Sequence, residues 1–140
     1  IFRFPNVVGE NLTHGIIYDF LKKKNLKDSN FYVLGNGNQQ KPYSYSSEII
    51  DAMIYVKNLK KKKIIVNLGH GDQGIKVKQI VNLFFNHFNL KKKINYEKQI
   101  RGWNGDIPKY SYSTKYLNKL GFHFKKNSFQ SIKSCLANFK

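Results

Sequence analysis

The sequence predicts an α/β fold. Short β-prone runs alternate with stretches of helical periodicity. One run, Ile64–Leu68, is apolar throughout except for Asn67, the pattern of a strand covered on both faces of a parallel sheet. A glycine-rich turn, Gly69–Gly74, then leads from that run into a helical stretch.

The elements follow in order. Ile1–Phe4 is a short apolar run that predicts a buried strand, and Gly9 closes the turn after it. Thr13 can cap a helix carrying Ile16, Ile17, Phe20 and Leu21 on one face. Lys27–Asn30 is a loop, Phe31–Leu34 is β-prone, and Gly35-Asn36-Gly37-Asn38 is turn chemistry. Tyr43-Ser44-Tyr45 is a second β-prone triplet after Pro42. Ser47 reads as the cap of a helix with Glu48 in its first turn and Ile49, Ile50, Met53 and Ile54 as its buried stripe. Past the glycine-rich turn, Val77, Ile80, Val81, Phe84 and Phe88 share one helical face. Ile94–Glu97 is another short strand and 99–112 an irregular loop. Thr114–Leu120 is a short helix ended by Gly121, and Ser128 caps a last helix bearing Phe129, Ile132 and Leu136. The two clearest strands, Ile1–Phe4 and Ile64–Leu68, are expected to lie side by side in parallel. Each wants further parallel neighbours, which this chain offers few of.

Composition narrows the class. A chain of 140 residues suffices for one domain with a core, and 41% hydrophobic with 15% aromatic residues excludes a disordered tail. No stretch has the apolar length of a membrane span. The opening residues have neither a basic n-region nor an apolar h-region and are not read as a signal peptide. Cys135 is alone, which excludes an internal disulfide and fits a reducing cytoplasm. It is read as a packed side chain rather than a nucleophile. His14, His70, His87 and His123 are scattered without metal-ligand spacing.

The net charge of +17 admits two readings. One is nucleic-acid binding by phosphate neutralisation. The other is a solvated basic surface, and position favours it. Lys22–Lys24 end one helical stretch, and Lys60–Lys63 and Lys91–Lys93 follow two others, where cations complement the helix dipole.

Gly69-His70-Gly71-Asp72-Gln73-Gly74 matches G-x-G-x-x-G between a strand and a helix, and Glu97 follows a second strand further on. These are the parts of a dinucleotide fingerprint. A minimal dinucleotide-binding module is therefore an alternative reading, against a tight turn whose glycines only avoid clashes.

Five segments carry a resemblance. They are Arg3-Phe4-Pro5-Asn6-Val7-Val8-Gly9; Leu34-Gly35-Asn36-Gly37-Asn38-Gln39-Gln40-Lys41-Pro42-Tyr43-Ser44-Tyr45; Asp51-Ala52; Asn67-Leu68-Gly69; and Gly105-Asp106-Ile107-Pro108 with Leu120-Gly121-Phe122. In this order and spacing they resemble the second half of the extended short-chain dehydrogenases/reductases, the family of UDP-glucose 4-epimerase and its dehydratase relatives. The resemblance covers nearly the whole chain. It implies a single segment, 1–140, that is the C-terminal substrate-binding part of an extended Rossmann-type reductase. Late strands of the Rossmann sheet would lie near 1–8 and 64–69, the rest forming the substrate subdomain. The family's N-terminal glycine-rich cofactor loop and its Tyr-x-x-x-Lys have no counterpart here. The resemblance therefore implies a missing N-terminal Rossmann half that holds NAD, no catalytic residue in this chain, and self-association over the surface that half would cover.

The same resemblance implies binding residues for a nucleotide-sugar, with a UDP-hexose the expected ligand. Asn6 matches the asparagine that hydrogen-bonds the sugar nucleotide; its plain alternative is a turn cap. Lys41 stands where the family has a diphosphate-binding arginine, keeping the charge but losing the bidentate fork. Asp106 matches an aspartate near the nucleotide ribose, and Tyr110 a substrate-contacting tyrosine. Leu34 ends the stretch that lines the base pocket. The family's second phosphate-binding arginine is replaced by Trp103. Either Arg101 reaches in for it, or Trp103 stacks.

Overall fold

Alternating strands and helices do form, though several strands are only two residues long. The computed structural model describes all 140 residues. In chain order they are β1 (Phe2–Arg3), β2 (Asn6–Val8), α1 (Ile16–Lys24), β3 (Asn30–Val33), β4 (Gln40–Lys41), β5 (Tyr43–Tyr45), α2 (Ser46–Asn58), β6 (Val66–Asn67), β7 (Ile75–Lys76), α3 (Val77–Phe88), β8 (Lys93–Tyr96), α4 (Lys115–Lys119) and α5 (Ser128–Leu136). Three parallel pairs, β1 with β6, β2 with β5 and β3 with β8, accompany one antiparallel pair, β4 with β7. The two clearest predicted strands are thus neighbours in parallel, with Phe2 opposite Val66.

Apolar spacing decides which faces are buried. The larger core gathers Ile17 and Phe20 of α1, Phe31 and Val33 of β3, Ile80, Val81 and Phe84 of α3, and Ile132, Cys135 and Leu136 of α5. Phe20 meets Phe31 and Phe84 edge-on at centroid distances of 5.2 and 5.4 Å, a favoured geometry for aromatic pairs. A second core joins Ile49, Ala52 and Val56 of α2 to Val66, Leu68, Leu117 and Phe124.

Several expectations are corrected. Ile1 and Phe4 are exposed, because β1 has β6 on one edge and nothing from this chain over its outer face. Ile64–Leu68 is covered on one face only: Val66 and Leu68 are buried while Ile65 is exposed. On α2 the buried stripe is Ile49, Ala52 and Val56, and Ile50 and Ile54 face outward at 55% and 53% exposure. Phe129 of α5 is likewise exposed. Thr13 is not the cap of α1; Gly15 is, at φ +92°, and no side chain caps there. Ser47 lies inside α2, whose cap residue is Tyr45. Asn127, not Ser128, caps α5 by accepting from the Gln130 N–H at 2.9 Å. Ser128 instead donates its hydroxyl to Asp72 Oδ1 and accepts from the Tyr43 N–H, tying α5 to the glycine-rich turn and β5.

Candidate functional site

Strand register builds the site. The β2–β5 ladder sets Asn6 beside Tyr43, so the start of β2 lies next to the end of β4 at Lys41. The irregular 101–112 segment folds back onto the same place: the Gln40 N–H donates to the Pro108 carbonyl at 2.7 Å. Between these segments and the start of α1 opens a cleft of about 700 Å³.

Four of the six predicted site residues, Asn6, Leu34, Lys41 and Asp106, line that cleft. Asn6 Nδ2 donates to Tyr110 Oη at 3.2 Å and to the Pro42 carbonyl at 3.3 Å. Its amide hydrogens are thus used within the chain, and its oxygen is left to accept. Tyr110 stands outside the lining and reaches the site through Asn6. Leu34, half exposed at the end of β3, presents its side chain while its carbonyl accepts from Gln39 Nε2 at 3.0 Å.

Lys41 Nζ is paired with Asp106 Oδ1, the single salt bridge of the chain. The other carboxylate oxygen accepts from the Gly102 N–H at 3.0 Å, and the Asp106 N–H donates to the Trp103 carbonyl at 3.0 Å. Burial works to raise the Asp106 carboxyl. The Lys41 hydrogen bond, the Gly102 N–H and the charges of Lys41 and Arg101 outweigh it and hold the group below its ordinary value. Arg101 is exposed and outside the lining, so it acts on the site only through that charge. Burial pushes the phenols of Tyr43, Tyr110 and Tyr112 up, which leaves none of them primed to exchange a proton near neutrality.

Sequence reasoning named no site residue on the opposite wall, although the Asn11–Gly15 stretch with His14 resembles the start of the family's substrate-facing helix. Glu10, Asn11, Thr13 and His14 of the loop before α1 line it, as do Asp19 and Lys23 of α1 and Gln39. The uninterrupted polar run Glu10–Asn11, followed by Thr13–His14 just before a helix, was the available signal. Because Gly15 provides no side-chain cap, the first turn of α1 opens on the cleft with free N–H groups, where the helix dipole favours negative charge. No cluster of three or more His, Cys, Asp or Glu could hold a metal ion, and no helix is long and apolar enough to cross a membrane.

No family model and no curated protein matches the sequence. Solved structures do match. A UDP-galactose 4-epimerase superposes with a TM-score of 0.79 at 24% identity, over 96% of this chain and 43% of its own. The UDP-glucose 4-epimerase of Thermotoga maritima, solved with UDP-glucose, gives 0.77 at 20% identity over 97% and 44%. The chain has the fold of the C-terminal part of the Rossmann-type epimerases. The protein MoeE5, solved with UDP-glucuronic acid and NAD, is similar at a TM-score of 0.77 and 17% identity, over 97% and 45%. The chain thus spans less than half the length of each of these proteins.

On this epimerase-type fold the Gly69–Gly74 turn makes no cradle for a pyrophosphate. Gly69, Gly71 and Gly74 all have positive φ, and the space a side chain would take at each is filled by Tyr112, Thr114 and the Lys41 backbone respectively. Glu97 lies beyond a strand that pairs with β3 rather than β6, and its carboxylate accepts from the Gly35 N–H at 2.8 Å. The reading of this turn as a minimal dinucleotide-binding module is corrected accordingly: its glycines serve close packing.

Proposed function

We propose that this chain is the nucleotide-sugar-binding part of an NAD-dependent epimerase or dehydratase acting on a UDP-hexose. In this reading an N-terminal Rossmann half holds the NAD and supplies the catalytic tyrosine and lysine, and no catalytic residue belongs to this chain. The observation that supports it best is convergence: Asn6, Lys41 and Asp106, far apart in sequence, line one cleft beside an uncapped helix start.

Lys41 neutralises the diphosphate, exchanging part of its contact with Asp106 for phosphate oxygens. Asp106, ionised at neutral pH, accepts from ribose hydroxyls. The Asn6 amide oxygen accepts from a sugar hydroxyl, and Leu34 covers an apolar part of the nucleotide. Arg101 adds long-range attraction for the phosphates. Tyr110 holds the Asn6 amide in place.

Calorimetric titration of the chain with UDP-glucose tests this reading. Saturable binding is expected. Lys41→Ala should weaken it about tenfold or more, the usual loss for a hydrogen bond to a charged group. Lys41→Arg should restore it or improve on it, because the guanidinium grips phosphate with a fork. Absence of any UDP-glucose binding, or equal affinities in all three proteins, would refute the proposal.

A further inference from the structure

Trp103 is the one tryptophan of the chain and is 64% exposed. It does not lie on a random patch of surface, because it lines the same cleft as Lys41 and Asp106. Its turn is pinned at the base, with both the Gly102 N–H and the Trp103 carbonyl bonded to Asp106 and Asp106 bonded to Lys41. The indole lies along Gly105, at φ +93°, where an added Cβ would stand 3.0 Å from the ring. A Cβ added at Gly102 would stand 3.4 Å from Leu34 Cβ, so the turn carrying Trp103 sits directly against Leu34.

This end of the cleft therefore offers a flat aromatic face and a half-exposed leucine beside an ammonium–carboxylate pair. The loop before α1 offers polar side chains and open N–H groups instead. A ligand fitting the first end needs a planar, weakly polar part joined to an anionic part. A pyranose, whose hydroxyls need partners all round, fits the polar loop better.

We infer that Trp103 is the stacking platform for the nucleobase and so sets selectivity for nucleotides over base-free sugar phosphates. The inference rests on the proposal that this cleft takes a sugar nucleotide. Stacking on an aromatic side chain tolerates any base, so Trp103 supplies affinity for the base without choosing among bases.

The lone tryptophan is its own reporter. Titration of the full chain with UDP, UDP-glucose and glucose 1-phosphate, followed by indole emission and by calorimetry, is the test. UDP and UDP-glucose should quench the emission saturably, and glucose 1-phosphate should not. By calorimetry, Trp103→Ala should weaken UDP binding roughly five- to hundredfold, leave glucose 1-phosphate binding unchanged, and be largely rescued by Trp103→Phe. An unaltered thermal midpoint is expected for Trp103→Ala, since the ring is exposed. Equal quenching by glucose 1-phosphate would overturn the inference in favour of sugar stacking. UDP-glucose binding that is the same with and without the indole would overturn it while leaving the proposed function standing. Failure of the wild-type chain to bind any of the three would sink both.

Discussion

Asp106 is a carboxylate whose low proton affinity depends on the fold. In the unfolded chain it loses Lys41 and the Gly102 N–H, so it binds a proton at higher pH than in the folded state. Its contribution to stability is therefore complete above the ordinary carboxylate range and fades as the pH falls below about 4. Asp28 and Glu97, held low by hydrogen bonds from Asn30 and Gly35, act in the same direction. Thermal unfolding of Asp106→Asn and wild type between pH 3 and 7 should show the variant less stable at neutrality and the gap closing at the acid end. A gap independent of pH would mean that the charge is not what matters. Glycines give a second contrast. Gly74 at φ +79° leaves no room beside the Lys41 backbone, whereas Gly15 at φ +92° has open space around its missing side chain. Gly15→Ala should cost about 1–3 kcal/mol of conformational strain, because φ +92° with ψ 174° is a conformation that essentially only glycine adopts, and Gly74→Ala should cost more still through its added clash with the Lys41 backbone, as read from chemical denaturation midpoints.

Helix α2 has two candidate apolar stripes. Ile49 and Met53 make one, Ile50 and Ile54 the other, and both have i, i+4 spacing. Periodicity alone cannot choose between them. Ala52 and Val56 settle the matter by packing against Val66 and Leu68, which turns Ile50 and Ile54 outward. Ile49→Ala should thus cost about 2–5 kcal/mol, as buried isoleucines do, and Ile54→Ala about 0.5 kcal/mol or less in the isolated chain. Equal losses in denaturant unfolding would contradict this orientation. Strands β4 and β7 are invisible in the sequence because two residues show no period, and the turn formers Pro5 and Asn6 mask the break between β1 and β2. Yet the placement of Asn6 and Lys41 depends on these short strands.

For the whole molecule, apolar surface and charge pull in opposite directions. Ile1, Phe4 and Ile65 on or next to the β1–β6 pair and Ile50 and Ile54 on α2 leave bare apolar surface, which association would cover. Self-association in sedimentation at high concentration is the expected result, and a clean monomer throughout would show that these faces need no cover. Against this stands a net charge of +17 with a single salt bridge. Two lysine runs meet in space, since Lys92 Nζ donates to the carbonyls of Lys23 and Leu26. A solvated basic face should bind nucleic acid weakly and without sequence preference, with affinity falling steeply as salt rises. Sequence-sensitive submicromolar binding at physiological salt would instead support the nucleic-acid reading.

The sequence by itself determined the α/β class, the positions of the longer helices and the parallel pairing of the two clearest strands, and its resemblance to the epimerase family pointed to four of the residues that line the cleft. Each of these rests on local pattern: hydrophobic period, glycine turns and short motifs read in order. Tertiary structure alone decided which α2 stripe is buried, that the glycines of the 69–74 turn are closed off by Tyr112, Thr114 and Lys41, and that Trp103 and Lys23 face the same cavity as Asn6. Tyr110 matches its motif position and Arg101 lies two residues before the family's arginine position, yet both stand off the cavity wall, because a motif specifies chain position while a cleft selects by direction in space. Those directions come from contacts between residues distant in sequence, such as Lys41 with Asp106 and Asn6 with Tyr110, and no local period encodes them.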